Sequence, residues 1–317
     1  VTKTQEAETH LLGASDIQRI AASIGVTPTK KLGQNFMIDP GTVRRIARTA
    51  HVGSDSAHTQ VVEVGPGLGS LTLALLEAGA HVHAVEIDTT LAQQLPLTVE
   101  RYAPHASTEQ RLAVITRDAL KVTAEDFHAT TGLDTAEPFA LVSNLPYNVA
   151  TPILLTFLER FAGLSSAVVL VQNEVAERLT AAPGSKIYGS PSVKLAWYGK
   201  AQKAGMVGRN VFWPVPNVDS SLVEFTRFTP EQAGASRPAA LKALTFELID
   251  AAFAQRRKTL RAALKGHASA EQIATAGIEP TLRGEKLTVD DFVAIAREVA
   301  KAAPTDESTD TVGKEEQ

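Results

Sequence analysis

From residue 60 the chain alternates short apolar runs with segments of helical period: VVEVG (61–65), LTLALLEA (71–78), HVHAVEID (81–88), then a helical stretch from Thr89. Further apolar runs follow at LAVIT (112–116), FALVSN (139–144), AVVLVQN (167–173), VKLAWYG (193–199) and SLVEFTRF (221–228). Continuous apolar runs of strand length need cover on both faces, and helices between them supply it. The pattern therefore predicts an α/β doubly wound domain on a parallel sheet. After Phe228 the strand pattern stops. Segments 239–254, 259–264, 270–276 and 289–300 are Ala-rich with helical spacing, the last opening on Thr288 with Asp291 three residues on as a reciprocal cap. The expected organisation is an α/β domain over 11–229 followed by a smaller all-helical domain over 230–303. Within the first, Ser15 is placed to cap a helix over 15–24 that Gly25 stops, and 42–50 reads as a second short helix after Asp39 and Pro40. Residues 1–10 and 304–317 are polar and aperiodic, and are expected to be disordered.

Charge changes this picture only once it is divided along the chain. The formal net charge is −4, from 31 Lys and Arg against 35 Asp and Glu. The tail carries all of it, with Asp306, Glu307, Asp310, Glu315 and Glu316 against Lys314, so the body is neutral. Within that neutral body, residues 251–270 hold Arg256, Arg257, Lys258, Arg261 and Lys265 and no acid, which points to an anionic partner. With 44% hydrophobic residues the chain has the material for a globular core. The absence of cysteine excludes disulfides, Cys-ligated zinc, iron–sulfur clusters and cysteine nucleophiles. The first residues lack the basic and apolar regions of a signal peptide, and no apolar stretch has the length of a membrane span, so a cytoplasmic protein is expected. The eight histidines show no metal-ligand spacing, and no metal is expected.

The chemistry concentrates behind the predicted strands. Glu63-Val64-Gly65-Pro66-Gly67-Leu68-Gly69 lies between the first strong strand and its helix, and glycines at alternate positions let backbone turn tightly and approach a ligand. A tight turn without a ligand is the plain alternative. Glu86 closes the second strand, where a doubly wound fold holds the two hydroxyls of a ribose; a solvated strand end is its alternative. The spacing is GxGxG with Ser70 where a dinucleotide fingerprint has its last glycine, which suits a sulfonium nucleoside better than a pyrophosphate. Asp118, after LAVIT, is placed to accept from an adenine amino group or simply to cap a helix. Asn144-Leu145-Pro146-Tyr147 follows FALVS. An exocyclic aromatic amine is a poor nucleophile, and it needs acceptors on its N–H groups and a stacking partner on its ring. An Asn side chain, a carbonyl set by proline and a Tyr ring supply these, although a Pro-containing loop would fit the same residues.

Taken together these blocks resemble the ribosomal RNA adenine N6-dimethyltransferase family, specifically its KsgA branch acting on small-subunit RNA. The match runs through KKLGQNF (30–36), Glu63 to Gly69, Glu86, Asp118, Asn144 to Tyr147, QNEVAERL (172–179), PGSKIYG (183–189), FWPVPNVDS (212–220) and FAQRRKTL (253–260). The resemblance implies a Rossmann-like class I S-adenosylmethionine methyltransferase domain with a helical C-terminal domain. It implies S-adenosylmethionine contacts at Asn35, Met37, Gly65, Glu86, Asp118 and Asn144, with Gln34, Glu63 and Gly67 beside them. Asn144, Pro146, Tyr147 and Phe212 are expected to hold the target adenine, which must leave its stack to be reached. Lys30, Lys31, Arg256, Arg257, Lys258 and Arg261 are expected to meet RNA phosphates; a solvated helix face is the alternative for the last four. Trp213 is a better candidate for a core aromatic than Phe212. The implied substrate is two adjacent adenosines in a hairpin loop near the 3′ end of small-subunit RNA, each methylated twice in the assembling subunit by a monomer. Met37, Arg117 and Asn173 depart from the family's usual Leu, Gly and Lys. Three rivals are a large-subunit adenine dimethyltransferase conferring antibiotic resistance, a non-catalytic assembly or transcription factor, and a nicotinamide oxidoreductase.

Overall fold

A computed structural model describes residues 9–28, 34–53 and 59–302; Lys30, Lys31 and the acidic tail lie outside the described residues. The strands are β1 (Phe36–Met37), β2 (Gln60–Val64), β3 (His81–Glu86), β4 (Leu112–Thr116), β5 (Phe139–Asn144), β6 (Leu164–Gln172), β7 (Gly199–Val207), β8 (Phe212–Trp213) and β9 (Ser220–Arg227). The helices of the α/β part are α1 (Ala14–Ser23), α2 (Pro40–Thr49), α3 (Ser70–Glu77), α4 (Thr89–Tyr102), α5 (Pro104–Thr108), α6 (Ala124–Thr131), α7 (Ala150–Arg160), α8 (Asn173–Leu179) and α9 (Ser190–Tyr198). After β9 come α10 (Pro230–Ala233), α11 (Lys242–Ala254), α12 (Leu260–Ala263), α13 (Ala270–Thr275) and α14 (Val289–Ala302).

Seven strands form one sheet in the order β4, β3, β2, β5, β6, β9, β7. The first five pair in parallel, and β9 runs antiparallel to both neighbours. This is a doubly wound arrangement whose strand order reverses between β2 and β5, the crevice where such sheets bind ligands. Strands β2, β3 and β5 are buried almost throughout, as their continuous apolar runs require.

Four local expectations need correction. Residues 193–198 form the end of α9 rather than a strand, and Gly199 opens β7. Val193, Leu195 and Trp197 are buried and Lys194 and Ala196 less so, an alternation that mimics a strand. The strand is the next segment, β7, an edge whose Lys200, Gln202 and Lys203 have no apolar signature. Helix α1 is capped by Gly13, whose N–H donates to Asp16 at 3.1 Å, so Ser15 is inside the helix. His10, expected in a disordered end, donates its N–H to the Tyr102 carbonyl at 2.8 Å and stacks on the Tyr102 ring. Of the basic run, Arg256, Arg257 and Lys258 lie in a turn after α11 and Arg261 lies on α12, so the four do not share one helix face.

The chain divides into two compact units, with 183–193 grouped with the helical residues after 232 and not with the sheet around it in sequence. Within that second unit Tyr188 donates to the Leu287 carbonyl at 2.9 Å and Gly184 N–H to the Glu285 carbonyl at 2.6 Å. Arg256 pairs with Glu285 at 3.1 Å and donates to the Lys186 carbonyl at 2.6 Å, so this cation holds 183–193 to the helical unit. Leu248, Leu260, Ile273, Phe292 and Ile295 are buried in its core.

One buried acid lies under the start of α3. Glu63 on β2 is 2% exposed and accepts from the Thr72 hydroxyl at 2.6 Å. Burial pushes its carboxyl from 4.5 up to about 8, with the Thr72 bond opposing and the Glu86 charge adding a smaller push. The folded protein thus keeps a proton that the unfolded chain releases above the ordinary value, and folding loses stability as pH rises between the two. Glu63→Gln should therefore flatten the pH dependence of melting. From pH 6 to 8 the ligand-free wild type should lose up to roughly 1.4 kcal/mol per pH unit more than the variant, a Tm difference of a few degrees. Thermal denaturation at a series of pH values checks this, and equal slopes would mean that Glu63 is ionised in the fold.

Candidate active site

The carboxyl ends of β2, β3, β4 and β5 surround a cavity of about 280 Å³. Gly65, Gly67 and Gly69 have φ of 67°, 59° and 97°, the left-handed region that glycine enters freely. A Cβ on Gly67 would come within 2.9 Å of the Phe36 ring, so this position needs glycine for space as well as conformation. Ser70 follows, and its hydroxyl donates to the Met37 carbonyl at 2.6 Å, tying β1 to the start of α3. Ser70 stands where a dinucleotide fingerprint has glycine, and here that position is a strap.

Glu86 is 5% exposed, so it is not a solvated strand end. Its carboxylate accepts from Gly67 N–H at 3.2 Å and from Asp88 N–H at 3.0 Å. Burial raises its pKa, and those two amides oppose the rise. Each oxygen retains a further lone pair for a ligand. Asp118 accepts from Leu120 N–H at 2.9 Å, a local turn, while also lining the cavity. Gln34, Asn35, Met37, Glu63, Gly65 and Gly67 line it too, so every residue expected to contact the cofactor is brought together.

Asn144 closes β5. Its Nδ2 donates to the Asn35 carbonyl at 3.1 Å, which leaves Oδ1 buried without a hydrogen-bond partner. A buried acceptor with no donor is costly, of order 1–3 kcal/mol, and such an atom beside a cavity marks where a ligand N–H fits. The Pro146 carbonyl accepts from Val149 N–H at 3.2 Å. The Tyr147 hydroxyl and the buried Ser220 hydroxyl are 2.7 Å apart, and Tyr147 lines the cavity.

Phe212 does not join them. It pairs with Met37 in the two-stranded β1–β8 ribbon, is 0% exposed, and packs in the hydrophobic cluster with Leu170 and Leu222. Its neighbour Trp213, expected in the core, is only partly buried, packs against that cluster and stacks on Phe36. Asn173 binds within its surroundings: Nδ2 donates to Glu177 at 2.9 Å, and Oδ1 accepts from Lys203 at 2.9 Å and Ser221 at 2.7 Å. Arg257, Lys258 and Arg261 are exposed, whereas Arg256 is engaged as described. The sequence reading missed Ile87, which is 58% exposed at the cavity and gives it an apolar wall, as well as two straps, the Ser70 bond above and the Ser143 hydroxyl, which accepts from Val64 N–H at 2.8 Å. Ile87 was legible as the residue after Glu86; single serines carry no spacing signal.

The residues present fit S-adenosylmethionine: Glu86 and Asp118 beside a concave apolar pocket suit a cationic nucleoside, and the glycines allow close backbone approach. Among the described residues no group of three or more His, Asp or Glu is arranged to hold a metal, and no helix is long and apolar enough to cross a membrane.

The profile of the family described as ribosomal RNA adenine dimethylase matches residues 26–301. Ribosomal RNA small subunit methyltransferase A of Bifidobacterium longum (strain DJO10A) is 57% identical over 311 residues, covering 96% of this chain and 99% of the relative. The protein of the same name from Streptomyces griseus subsp. griseus is 55% identical over 292 residues, covering 90% of this chain and 94% of the relative. Among solved structures, a dimethyladenosine transferase from Plasmodium falciparum superposes with a TM-score of 0.64 at 22% identity, covering 84% of this chain and 98% of that one, which shows a shared fold. The match over most of the chain, at this identity, means that the protein belongs to the ribosomal RNA adenine dimethylase family.

Proposed function

We propose that this protein transfers methyl groups from S-adenosylmethionine to N6 of adenosines in small-subunit ribosomal RNA, giving N6,N6-dimethyladenosine. The observation that carries the reading is the orphaned Asn144 Oδ1 at the end of β5, beside an acid-lined pocket. S-adenosylmethionine, when bound, supplies a methyl group on a positively charged sulfur. Glu86 is assigned to the ribose hydroxyls and Asp118 to the adenine amino group. Gln34, Asn35, Met37, Glu63, Gly65 and Gly67 are assigned to the walls around the cofactor. Asn144 Oδ1 and the Pro146 carbonyl accept the two N–H bonds of the target amine and draw its nitrogen toward tetrahedral geometry, while Tyr147 stacks on the extruded base. Positioning suffices because the methylated ammonium is already acidic and releases its proton without a strong base.

Exposed Arg257, Lys258 and Arg261 are assigned to RNA phosphates, and Arg256 is withdrawn from that set because its bonds are internal. We further propose that the targets are two adjacent adenosines in a hairpin loop near the RNA 3′ end, methylated by a monomer acting on the assembling subunit in the cytoplasm. The relatives at 57% and 55% identity are named for the small subunit, which disfavours the large-subunit alternative.

Incubation with small subunits lacking the modification, followed by mass spectrometry of the RNA nucleosides, should give dimethyladenosine with the monomethyl form only transient. Monomethyladenosine as the end product, or methylation of large-subunit RNA instead, would overturn the reading. Two substitutions separate binding from chemistry. Glu86→Ala should weaken S-adenosylmethionine roughly 10- to 100-fold in calorimetry, because it removes a charged acceptor from a closed pocket. Asn144→Ala should lower kcat by at least about tenfold while changing cofactor affinity less, since its bond tightens in the transition state. Reversal of Arg257, Lys258 and Arg261 to Glu should weaken RNA binding and flatten its dependence on salt, with cofactor affinity unchanged, because each lost phosphate contact removes counterion release. An unaltered salt slope would move the RNA surface elsewhere.

A further inference from the structure

Tyr147 leaves β5 on a short loop before α7, and a stacking ring there has to be held in one plane. Its ring torsion is intrinsically soft, since torsions at an aromatic carbon have broad minima. The loop itself is anchored: Leu145 N–H donates to the Leu170 carbonyl at 3.1 Å and Val149 N–H to the Pro146 carbonyl at 3.2 Å. Those bonds hold the backbone and do not themselves fix the tyrosine side chain. At its far end the hydroxyl meets Ser220 Oγ at 2.7 Å. Ser220 is 0% exposed and opens β9, where it is paired with Gln172 on β6 and with Val207 on β7. A hydroxyl on a strand flanked on both sides is about as immobile as any in the fold, so the ring is pinned at both ends.

We propose that Ser220 is a positioning residue for the methyl transfer, acting through the Tyr147 hydroxyl to hold the plane on which the target adenine stacks. The inference rests on the function proposed above. It concerns more than stability, because the two rounds of methylation ask different things of that plane. After the first transfer the amine carries a methyl group and a single N–H, so stacking replaces part of the orientation that a second hydrogen bond gave. A ring free to tilt therefore slows the second transfer more than the first.

The test is a double-substitution cycle with a spectroscopic control. Ser220→Ala and Tyr147→Phe each remove one side of the link while keeping the ring, and each should lower kcat/KM for unmodified small subunits roughly three- to tenfold and raise the transient share of monomethyladenosine. S-adenosylmethionine affinity by calorimetry should be unchanged in both. The double variant should be no worse than either single one, because both remove the same interaction. Multiplicative losses in the double variant, or Ser220→Ala with wild-type kinetics and product ratio, would overturn the proposal. Independently of activity, tyrosine-labelled protein should show a shift of the Tyr147 Cζ resonance in Ser220→Ala, with titration moved to higher pH because the Ser220 bond favours the phenolate. The resonance is assigned by its loss in Tyr147→Phe. An unmoved resonance would show that the link is absent in solution. A wild-type protein inert on small subunits would instead overturn the function, leaving the Ser220 link to be decided by its resonance.

Discussion

The Ser143 hydroxyl accepts from the Val64 amide at 2.8 Å, where β2 and β5 have already begun to part. These strands pair through Val61↔Ala140 and Val62↔Leu141, and beyond them the chain leaves in opposite directions around the sheet. A parallel sheet that reverses its winding must open at this point, and the opening strands buried backbone donors. An unpaired amide there would cost about 1–3 kcal/mol. Ser143, 0% exposed, removes that cost and lets the crevice exist. The glycine loop after β2 and Asn144 at the end of β5 take their positions from the two sides of this gap.

Charge in the crevice is arranged with equal economy. Burial keeps Glu63 protonated near neutrality, so it presents a hydrogen-bonded neutral group to the cavity. Glu86 is buried too, but Gly67 and Asp88 N–H groups point at its carboxylate and favour the ionised form. Burial raises the Glu86 pKa, and the backbone N–H groups at the end of β3 oppose that rise. A pocket with both acids ionised would repel itself; this one offers a cationic ligand a fixed partner without that penalty.

The buried strands were legible because a strand covered on both faces must be apolar throughout, as in 61–65 and 139–144. Legibility failed where tertiary context, not composition, sets the structure. Helix α9 carries an alternating pattern because its buried face happens to take every second residue from 193 to 197, and β7 lacks a pattern because an edge strand can be polar on both faces. Phe212 and Trp213 are adjacent aromatics on a two-residue ribbon, and which of them faces the core depends on pairing with Met37, a partner far away in sequence. The motif residues Gly65, Glu86, Asp118 and Asn144 were legible as a group, and they line one cavity. Ser143 and Ser220, which hold the motif in place, were not, because a lone hydroxyl has meaning only once its partner is known. Arg256 failed in the opposite sense: its charge was conspicuous, and the fold uses it internally.

The two acceptors assigned to the target amine differ in a way that suits a double methylation. Asn144 Oδ1 has no other partner, so leaving it empty exposes a buried lone pair at full cost. The Pro146 carbonyl already accepts from Val149 N–H, so it loses little when a second donor departs. On the proposed function, the unmethylated amine uses both. The monomethylated amine, with one N–H left, then has a clear preference: it keeps Asn144 and releases Pro146, which places the first methyl group on the proline side beside Tyr147. The nitrogen keeps its strongest anchor through both rounds, and the site does not have to rearrange between them. An enzyme with two orphaned acceptors would bind the first substrate more tightly and pay for it by stalling at the monomethyl stage, since one of the two would then be stranded. On that assignment, the inequality between Asn144 and Pro146 lets one rigid pocket accept an NH₂ and then an NH-methyl.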